Sequence, residues 1–368
     1  MPKRFTIGIE EEFQLVDHQT GDLVSRFQTI LEKGATHFGE RIKQELLQST
    51  VEIVTDICPN IFAARKELRD HRKVLTQLAK QEGLALISAG THPTAKWQEQ
   101  DITCNDRYIK MVRELRDVAR SALIFGLHIH IGVEDKDKAI NFINQLRTWL
   151  PHLLALSSNS PFSNGRFTGY KSFRSVIWRT LPRSGIPDAI ESREEFEHYI
   201  QKLVTSYLIE DGKKIWWDIR PHPFFNTVEF RICDMPATIE DTLAIAALCQ
   251  ALVAKLNWLH ERQQSTPVLP SKYIEENKWQ AMIYGLNGTV FDFENGHQVD
   301  MRESIGMLLD FVDDVLDDLD SRYEINYLRK LLKDPRGTGA DRQIYVSEQT
   351  GSVDAVTHFL MQQTVQGI

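Results

Sequence analysis

Five short segments of this chain alternate strictly between apolar and polar side chains, and this alternation limits the possible folds more than any other feature. In the clearest of them, residues 126–133 (GLHIHIGV), His128 and His130 share one face and the aliphatic residues share the other. Successive side chains of a strand point to opposite faces of its sheet. Strands of a parallel sheet covered on both faces would instead be apolar throughout. The pattern therefore predicts a mainly antiparallel sheet with one ionic face.

The other alternating segments are 5–15, 51–57, 215–219 and 227–232. Residues 63–81, 138–156, 240–261 and 305–319 have the spacing and composition of helices, and Pro151 is expected to divide the second of these in two. The fold class predicted is α+β, with helices packed on the apolar face of a curved sheet and a concave ionic face left for a site. We expect a single domain over residues 1–368 whose C-terminal portion, from about 240, is helical.

The composition of this chain is typical of a folded, soluble protein. It has 368 residues, 42% of them hydrophobic, a formal net charge of −8 and four cysteines, which excludes disorder. No uninterrupted apolar run approaches about 18 residues, so no membrane span is expected. The first residues reach acidic side chains too early for a signal peptide. The cysteines form no C-x-x-C pair, so no disulfide framework or zinc knuckle is indicated. The expected location is the cytoplasm.

The charge of the chain is unevenly distributed. Residues 138–187 contain no Asp or Glu and seven Lys or Arg side chains. An acidic protein with one basic stretch does not fit general nucleic-acid binding, so we expect no nucleic-acid partner and a local site for a small anion. The acidic residues between 310 and 320 are interpreted as a solvated helix face and not as metal ligands.

The ionic faces of the predicted strands carry more carboxylate and imidazole groups than a solvated surface requires. These faces contain Glu10, Glu12, Glu52, His128, His130, Glu229 and Arg231. Glu10 and Glu12 are close enough to repel each other, and a bound cation would remove that repulsion. Ligands that are mostly oxygen favour Mg²⁺ or Mn²⁺ over Zn²⁺. Glu11 falls on the apolar face, and its role stays open, as does that of His130. The chain contains neither a P-loop nor a Rossmann motif.

Nine segments in order also match a known family. They are GIEEEFQLVD (8–17), VEIVTDIC (51–58), SAGTHP (88–93), GLHIHIGV (126–133), LLALSSNSPFSNGRFTGYKSFR (153–174), WWDIRPHP (216–223), TVEFRICDMP (227–236), YGLNG (284–288) and GTGADRQ (337–343). With them the chain resembles the carboxylate–amine ligases of the glutamate–cysteine ligase type 2 family. That family belongs to the glutamine-synthetase-like superfamily, so the resemblance implies the glutamine synthetase/guanidino kinase-like fold.

The resemblance also implies roles for individual residues. The expected metal ligands are Glu10, Glu12, Glu45, Glu52, His128 and Glu229. Arg231 is expected to steady phosphate, and Lys171 to contact the nucleotide. Arg220 and Arg174 are expected to face a substrate carboxylate or phosphate. Glu45 is named by the resemblance only, and the role of the 337–343 segment stays open.

The activity implied by the resemblance is that of an ATP-dependent carboxylate–amine ligase that works through an acyl phosphate, uses ATP with Mg²⁺ or Mn²⁺, and acts on small molecules as a homodimer. Two alternatives remain: a phosphotransferase of the same fold, and a non-catalytic regulator that binds a nucleotide or an amino acid. Nothing in the sequence identifies the carboxylate or the amine, including whether the amine is cysteine. The segment 159–187 is a candidate cover that would exclude water from the acyl phosphate.

Overall fold

A computed structural model describes residues 5–368. Its strands are β1 (Ile7–Asp17), β2 (Ile42–Gln44), β3 (Thr50–Val54), β4 (Leu84–Ile87), β5 (Leu127–Gly132), β6 (Phe162–Ser163), β7 (Arg166–Phe167), β8 (Ser184–Gly185), β9 (Trp216–Trp217), β10 (Ile219–Pro221), β11 (Thr227–Phe230), β12 (Thr289–Asp292) and β13 (His297–Asp300). Its α-helices are α1 (Phe27–Phe38), α2 (Ile61–Gln81), α3 (Asp106–Leu115), α4 (Asp117–Arg120), α5 (Lys136–Leu146), α6 (Leu150–Ser157), α7 (Phe173–Trp178), α8 (Arg193–Thr205), α9 (Ile239–His260), α10 (Ser271–Tyr284), α11 (Met301–Phe311), α12 (Arg322–Leu331), α13 (Gly339–Thr350) and α14 (Val353–Thr364).

Within the described residues, seven strands form one sheet in the order β10-β11-β5-β1-β3-β2, with β4 also paired to β1. Every pairing in this sheet is antiparallel. The long strand β1 lies at its centre because it pairs with three others: β5 through Ile7–Glu11, β3 through Glu10–Gln14 and β4 through Gln14–Asp17. The predicted α+β class with a mainly antiparallel sheet is confirmed.

One face of the sheet is covered by helices. Ile9, Phe13, Ile129 and Phe230 are at most 1% exposed and belong to one hydrophobic core together with side chains from α2, α5, α6 and α9. Helix α9 is long and apolar enough to cross a membrane by length and composition, yet 89% of its most apolar stretch is buried inside the protein. Its burial shows that α9 is the central core helix of this layer.

Most predicted elements are present, with two differences. The helix expected over 305–319 ends at Phe311, and a short turn then brings Val315 and Leu316 into the core. The strand expected over 215–219 is divided, because β9 pairs with β8 outside the main sheet and only β10 joins it. The division of 138–156 is confirmed, and Pro151 lies in the first turn of α6. The regular elements within residues 240–368 are helices apart from the β12–β13 hairpin, while the single-domain organisation stays a prediction.

Glu11 has the structural role that the sequence left open. It lies between Glu10 and Glu12 on β1 but points into the core, where it is 1% exposed. Its carboxylate accepts hydrogen bonds from Arg72 of α2 (Nε, 3.0 Å) and from the hydroxyl of Thr242 of α9 (3.0 Å). Arg72 also donates to the carbonyl of Ala237 at 3.3 Å. This buried ion pair, together with the hydrogen bond from Thr242, joins the centre of β1 to α2 and α9.

The replacement Arg72→Met is expected to lower the free energy of unfolding by about 3–5 kcal/mol, because it leaves the charge of Glu11 buried without its partner. Urea denaturation monitored by circular dichroism measures the change. The matched control is Arg69→Met on the same helix, where an exposed pair with Glu240 at 3.5 Å should contribute at most about 1 kcal/mol. Equal losses in the two variants would contradict the role assigned to the pair.

Candidate active site

The ionic face of the sheet lines a cavity of about 1360 Å³. Strand register determines which side chains meet there. On β1, Glu10 lies opposite His128 of β5, and Glu12 lies opposite Glu52 of β3. Since residues two apart on a strand share a face, both carboxylates of β1 point into the cavity. Antiparallel pairing thus brings together Glu10 and His128, which are 118 positions apart in the chain.

A second row crosses the same face on the other side of β5. His130 lies opposite Glu229 of β11, and Glu229 lies opposite Arg220 of β10. The imidazole of His130 packs 5.4 Å from that of His222, which follows β10. The row places an imidazole, a carboxylate and a guanidinium side by side, so positive and negative groups alternate across this part of the sheet.

Glu10 is held by both histidines of β5. Its Oε2 lies 2.9 Å from Nδ1 of His128, and its Oε1 lies 3.1 Å from Nε2 of His130. Burial alone would raise the pKa of Glu10, but these two hydrogen bonds and the charge of His130 hold it well below the usual value. Burial and the nearby charge of Arg231 lower the pKa of His128 to about 4. Glu10 is therefore ionised and His128 neutral, the forms in which both bind metals.

The pKa values of the neighbouring carboxylates are shifted in the opposite direction from that of Glu10. Burial and the negative charge of Glu45 raise the pKa of Glu12 to about 8. Burial, together with Glu10, Glu45 and Glu12, raises the pKa of Glu52 well above its usual value, and burial raises that of Glu45. These carboxylates lie so close together that ionising all of them is unfavourable without a cation between them.

The carboxylates and one imidazole form two sets of candidate metal ligands within residues 5–368. Glu10, Glu52 and His128 form one set, and Glu12, Glu45 and Glu52 form the other; the ligand atoms of each set lie within 4.8 Å of one another. Five carboxylate or imidazole donors with Glu52 shared between the sets fit oxygen-preferring divalent cations such as Mg²⁺ or Mn²⁺. Five of the six predicted metal ligands are therefore brought together.

Glu229, the sixth, lies on the same face but is engaged differently. Its carboxylate accepts two hydrogen bonds from Arg220, at 2.7 and 3.0 Å, and another from Arg231. Burial would raise the pKa of Glu229, yet the two guanidinium groups hold it below the usual value. Glu229 thus anchors a pair of arginines in the cavity wall. Its predicted role as a metal ligand stays a prediction.

Arg174 reaches the cavity from α7. Its guanidinium donates to the carbonyls of Ile232 and Arg231, both at 3.2 Å. The whole residue is 2% exposed. A Cβ on Gly126 would lie only 2.4 Å from Nη2 of Arg174, so glycine at that position leaves the room for it. The amide of Gly126 in turn donates to Glu12 at 2.5 Å. Arg174 is thereby fixed beside the carboxylate cluster.

Lys171 is not brought to this site. Its ammonium is 2.6 Å from a carboxylate oxygen of Asp341, and it is absent from the cavity lining among the described residues. Asp341 and Thr338 form the capping box of α13, so the 337–343 segment serves as a helix start. The predicted nucleotide contact of Lys171 stays a prediction.

The acid-free stretch 138–187 contributes to the cavity only in part. Arg174, Trp178 and Leu181 line it from the predicted cover, and Lys138 lines it from α5. Arg147, by contrast, is fully buried and donates to the carbonyls of Pro187 and Leu269. One cation of this stretch therefore serves to satisfy loop carbonyls, and the small-anion site expected there stays a prediction.

Sequence reasoning missed several cavity residues. Trp178, Tyr108 and Arg107 line the cavity from α7 and α3, outside any alternating strand. No local signal marks them, because their position depends on how the helices dock. His222 could have been found from the WWDIRPHP segment, since it lies two residues after Arg220 on the same side.

The family model described as glutamate–cysteine ligase family 2 matches residues 6–358. The chain belongs to this family. A relative from Solibacter usitatus, named "putative glutamate–cysteine ligase 2", is 48% identical over 364 residues, which is 99% of this chain and 94% of the relative. A relative of the same name from Sorangium cellulosum is 46% identical over 367 residues, covering 99% of this chain and 97% of the relative. The resemblance identified from the nine segments is confirmed.

Solved structures of similar fold support the predicted architecture. The glutamate–cysteine ligase from Francisella tularensis in complex with AMP superimposes with a TM-score of 0.73 at 12% identity, over 99% of this chain and 89% of that one. The bifunctional glutathione synthetase from Pasteurella multocida gives a TM-score of 0.70 at 15% identity over 99% of this chain. The chain spans about half the length of the Pasteurella protein, 52%. The predicted ligase-type fold is confirmed.

Divalent cations are expected to stabilise the protein through the carboxylate cluster. At about a hundredfold excess over the dissociation constant, Mg²⁺ or Mn²⁺ should add ~2.7 kcal/mol to the free energy of unfolding. Glu52→Gln should remove most of this gain, because Glu52 belongs to both ligand sets. Thermal unfolding with and without the cation measures it.

The control for this experiment is Glu40→Gln, at an exposed position after α1. That variant should keep the full increase in Tm on adding the cation. A Glu52→Gln variant that retains the wild-type increase would contradict the proposed ligand sets.

Proposed function

We propose that this protein joins a small-molecule carboxylate to an amine in an ATP-dependent reaction that forms an amide. It is a ligase of the glutamate–cysteine ligase family 2, and enzymes of this kind form C–N bonds. The observation that carries the proposal is the arrangement of the cavity: a buried carboxylate cluster centred on Glu52, with Arg231 and Arg174 held beside it.

This arrangement answers a chemical requirement. A carboxylate does not react with an amine directly, because oxide would have to leave. When a carboxylate oxygen attacks the γ-phosphorus of ATP, the bond to the β-phosphate oxygen breaks, ADP leaves, and an acyl phosphate remains. The amine nitrogen then attacks the carbonyl carbon, the C–O bond to phosphate breaks, and the ammonium proton is lost to solvent. The products are an amide, ADP and phosphate.

The side chains divide the work by charge. Glu10, Glu12, Glu45, Glu52 and His128 would hold the divalent cations, which when bound neutralise charge on the nucleotide phosphates. Arg231 would bind the transferred phosphoryl group, because Glu229 fixes its guanidinium at the cavity wall. A guanidinium so placed stabilises charge that develops in the transition state. Arg174 would bind a substrate carboxylate beside Glu12.

Several features of this proposal come from the family and from the chemistry of the side chains. Nucleotide use is supported by the AMP bound to the Francisella tularensis ligase of the same fold. Mg²⁺ or Mn²⁺ is supported by the chemistry of the ligand sets. The free thiols of Cys58, Cys104, Cys233 and Cys249 suit a reducing cytoplasm. The homodimer expected from the family is open to sedimentation analysis.

The proposal predicts that ADP release in the presence of Mg²⁺ requires a carboxylate and an amine together. A coupled ADP assay over a matrix of both substrate types, with mass spectrometry of the products, measures this. Formation of a phosphorylated acceptor without amide would instead indicate a phosphotransferase. No ADP release with any pair would contradict ligase activity and favour a binding function.

Arg231→Lys should lower kcat by about a hundredfold, because lysine keeps the charge but loses the planar fork that binds two oxygens. Steady-state kinetics with the best substrate pair measure the effect. Arg336→Lys is the control, since Arg336 is exposed and, among residues 5–368, pairs only with nearby Asp334. Equal rates in the two variants would remove Arg231 from the catalytic role.

A further inference from the structure

One part of the cavity lining differs in character from the carboxylate cluster. In this part, apolar side chains from separate elements line the cavity. They are Met111 of α3, Ile124 before β5, Trp178 of α7, Leu181 after α7 and Trp216 of β9. Trp178, Leu181 and Trp216 form a buried cluster of their own, and each is at most 9% exposed. We call these five residues the tryptophan pouch.

The pouch meets the arginines through Trp178. The guanidinium carbon of Arg174 lies 5.3 Å from the centre of the indole ring, and that of Arg231 lies 5.5 Å from it. Both cations therefore lie against the ring of Trp178, an arrangement in which ring and cation attract each other. A molecule in the pouch would be next to both positive charges.

Three buried N–H donors at this junction have no acceptor within residues 5–368. They are Nε of Arg174, Nε of Arg231 and the indole Nε1 of Trp178. Buried donors without partners are destabilising and uncommon in folded proteins. The three residues that carry these donors all line the cavity, so an oxygen acceptor bound beside them is the partner that we infer for these N–H groups.

We infer that this part of the cavity binds a substrate with a carboxylate and a bulky apolar or aromatic side chain. The carboxylate contacts Arg174, Arg231 and Trp178, and the side chain occupies the tryptophan pouch. The inference rests on the proposed ligase function and names a substrate class for it. None of the five pouch residues is charged, so a polar side chain placed there would lose its hydration without gaining a partner. A small side chain would leave the pouch partly empty.

This chemistry has two sources in a carboxylate–amine ligase. The carboxylate is either the one that ATP activates or the spectator α-carboxylate of an amino acid that supplies the amine. Both place an oxygen anion beside an apolar side chain, and both use the same donors. Trp178 is the specificity-determining residue in either case.

The test measures binding by isothermal titration calorimetry to the full chain with Mg²⁺ and a non-hydrolysable ATP analogue. Phenylalanine and leucine should bind about tenfold or more tightly than alanine, as expected for burying several additional CH₂ equivalents. Glutamate and cysteine should bind more weakly than phenylalanine. Equal or tighter binding of alanine or glutamate would overturn the inference.

Blocked analogues distinguish the two sources. N-acetylphenylalanine has a free carboxylate and no amine, whereas phenylalaninamide has an amine and no carboxylate. Binding of the first and not the second is expected, because the orphan donors require an oxygen anion. If N-acetylphenylalanine also supports ADP release with an added amine, the activated carboxylate is the source; if it only inhibits, the amino acid is. Preferential binding of phenylalaninamide would overturn the inference.

Variants of Trp178 separate shape from hydrogen bonding. Trp178→Phe should weaken the binding of all carboxylates by a similar factor, because it removes the indole N–H. It should keep the preference for phenylalanine over alanine, because phenylalanine still supplies an aromatic ring at this position. Trp178→Ala should reduce that preference to about twofold or less. Leu181→Ala, at the edge of the same cluster, should reduce it in the same direction and serves if Trp178→Ala does not fold.

Trp217→Phe is the matched control, because Trp217 stacks on Tyr199 at 5.7 Å and does not line the cavity. It should leave both affinity and preference unchanged. An unchanged preference in Trp178→Ala and Leu181→Ala would overturn the inference even if amide formation is observed. Since binding is measured without turnover, failure of the ligase assay leaves this result readable.

Discussion

The rest of the structure depends on three consecutive glutamates in one buried strand, each with a different partner. Glu10 lies within hydrogen-bond distance of two imidazoles, Glu11 is paired with Arg72 in the core, and Glu12 lies among other carboxylates. Placing these charges in the middle of a sheet is costly unless each is compensated. On the core side this compensation joins β1 to α2 and α9. On the cavity side the histidines of β5 supply part of it, and the proposed cation would supply the rest.

The two sides of β1 are therefore coupled through a single backbone. The ion pair of Glu11 with Arg72 fixes the strand from behind, and Thr242 adds a third contact from α9. With the strand held in this way, the carboxylates of Glu10 and Glu12 are presented to the cavity without freedom to move apart. The repulsion expressed in the raised pKa of Glu12 and Glu52 is thus sustained by the packing of the core. A cation bound between these carboxylates would relieve the repulsion.

Much of the fold and of the cluster could be predicted because strand period and burial act locally. Alternation alone selected Glu10, Glu12, Glu52 and His128, and strand register then brought them within reach of one another. Glu45 has no such local signal, since it follows β2 in an irregular segment, and it was identified only by resemblance to the family. Trp178 was not identified at all, because α7 is short. Its position depends on contacts with α10 and on the hydrogen bond that the Ser172 hydroxyl, just before α7, donates to Asp234 at 2.7 Å.

The sequence by itself determined the antiparallel sheet, its ionic face and the family, because each follows from residue type and spacing along the chain. Only the tertiary structure decided how those groups are shared. It engaged Glu229 with two arginines and placed Lys171 on Asp341, away from the cavity. It also assembled the tryptophan pouch from elements that begin at positions 106, 173 and 216. The physical reason is that ion pairs and cavities depend on distances between elements, and those distances are established only when the helices dock on the sheet.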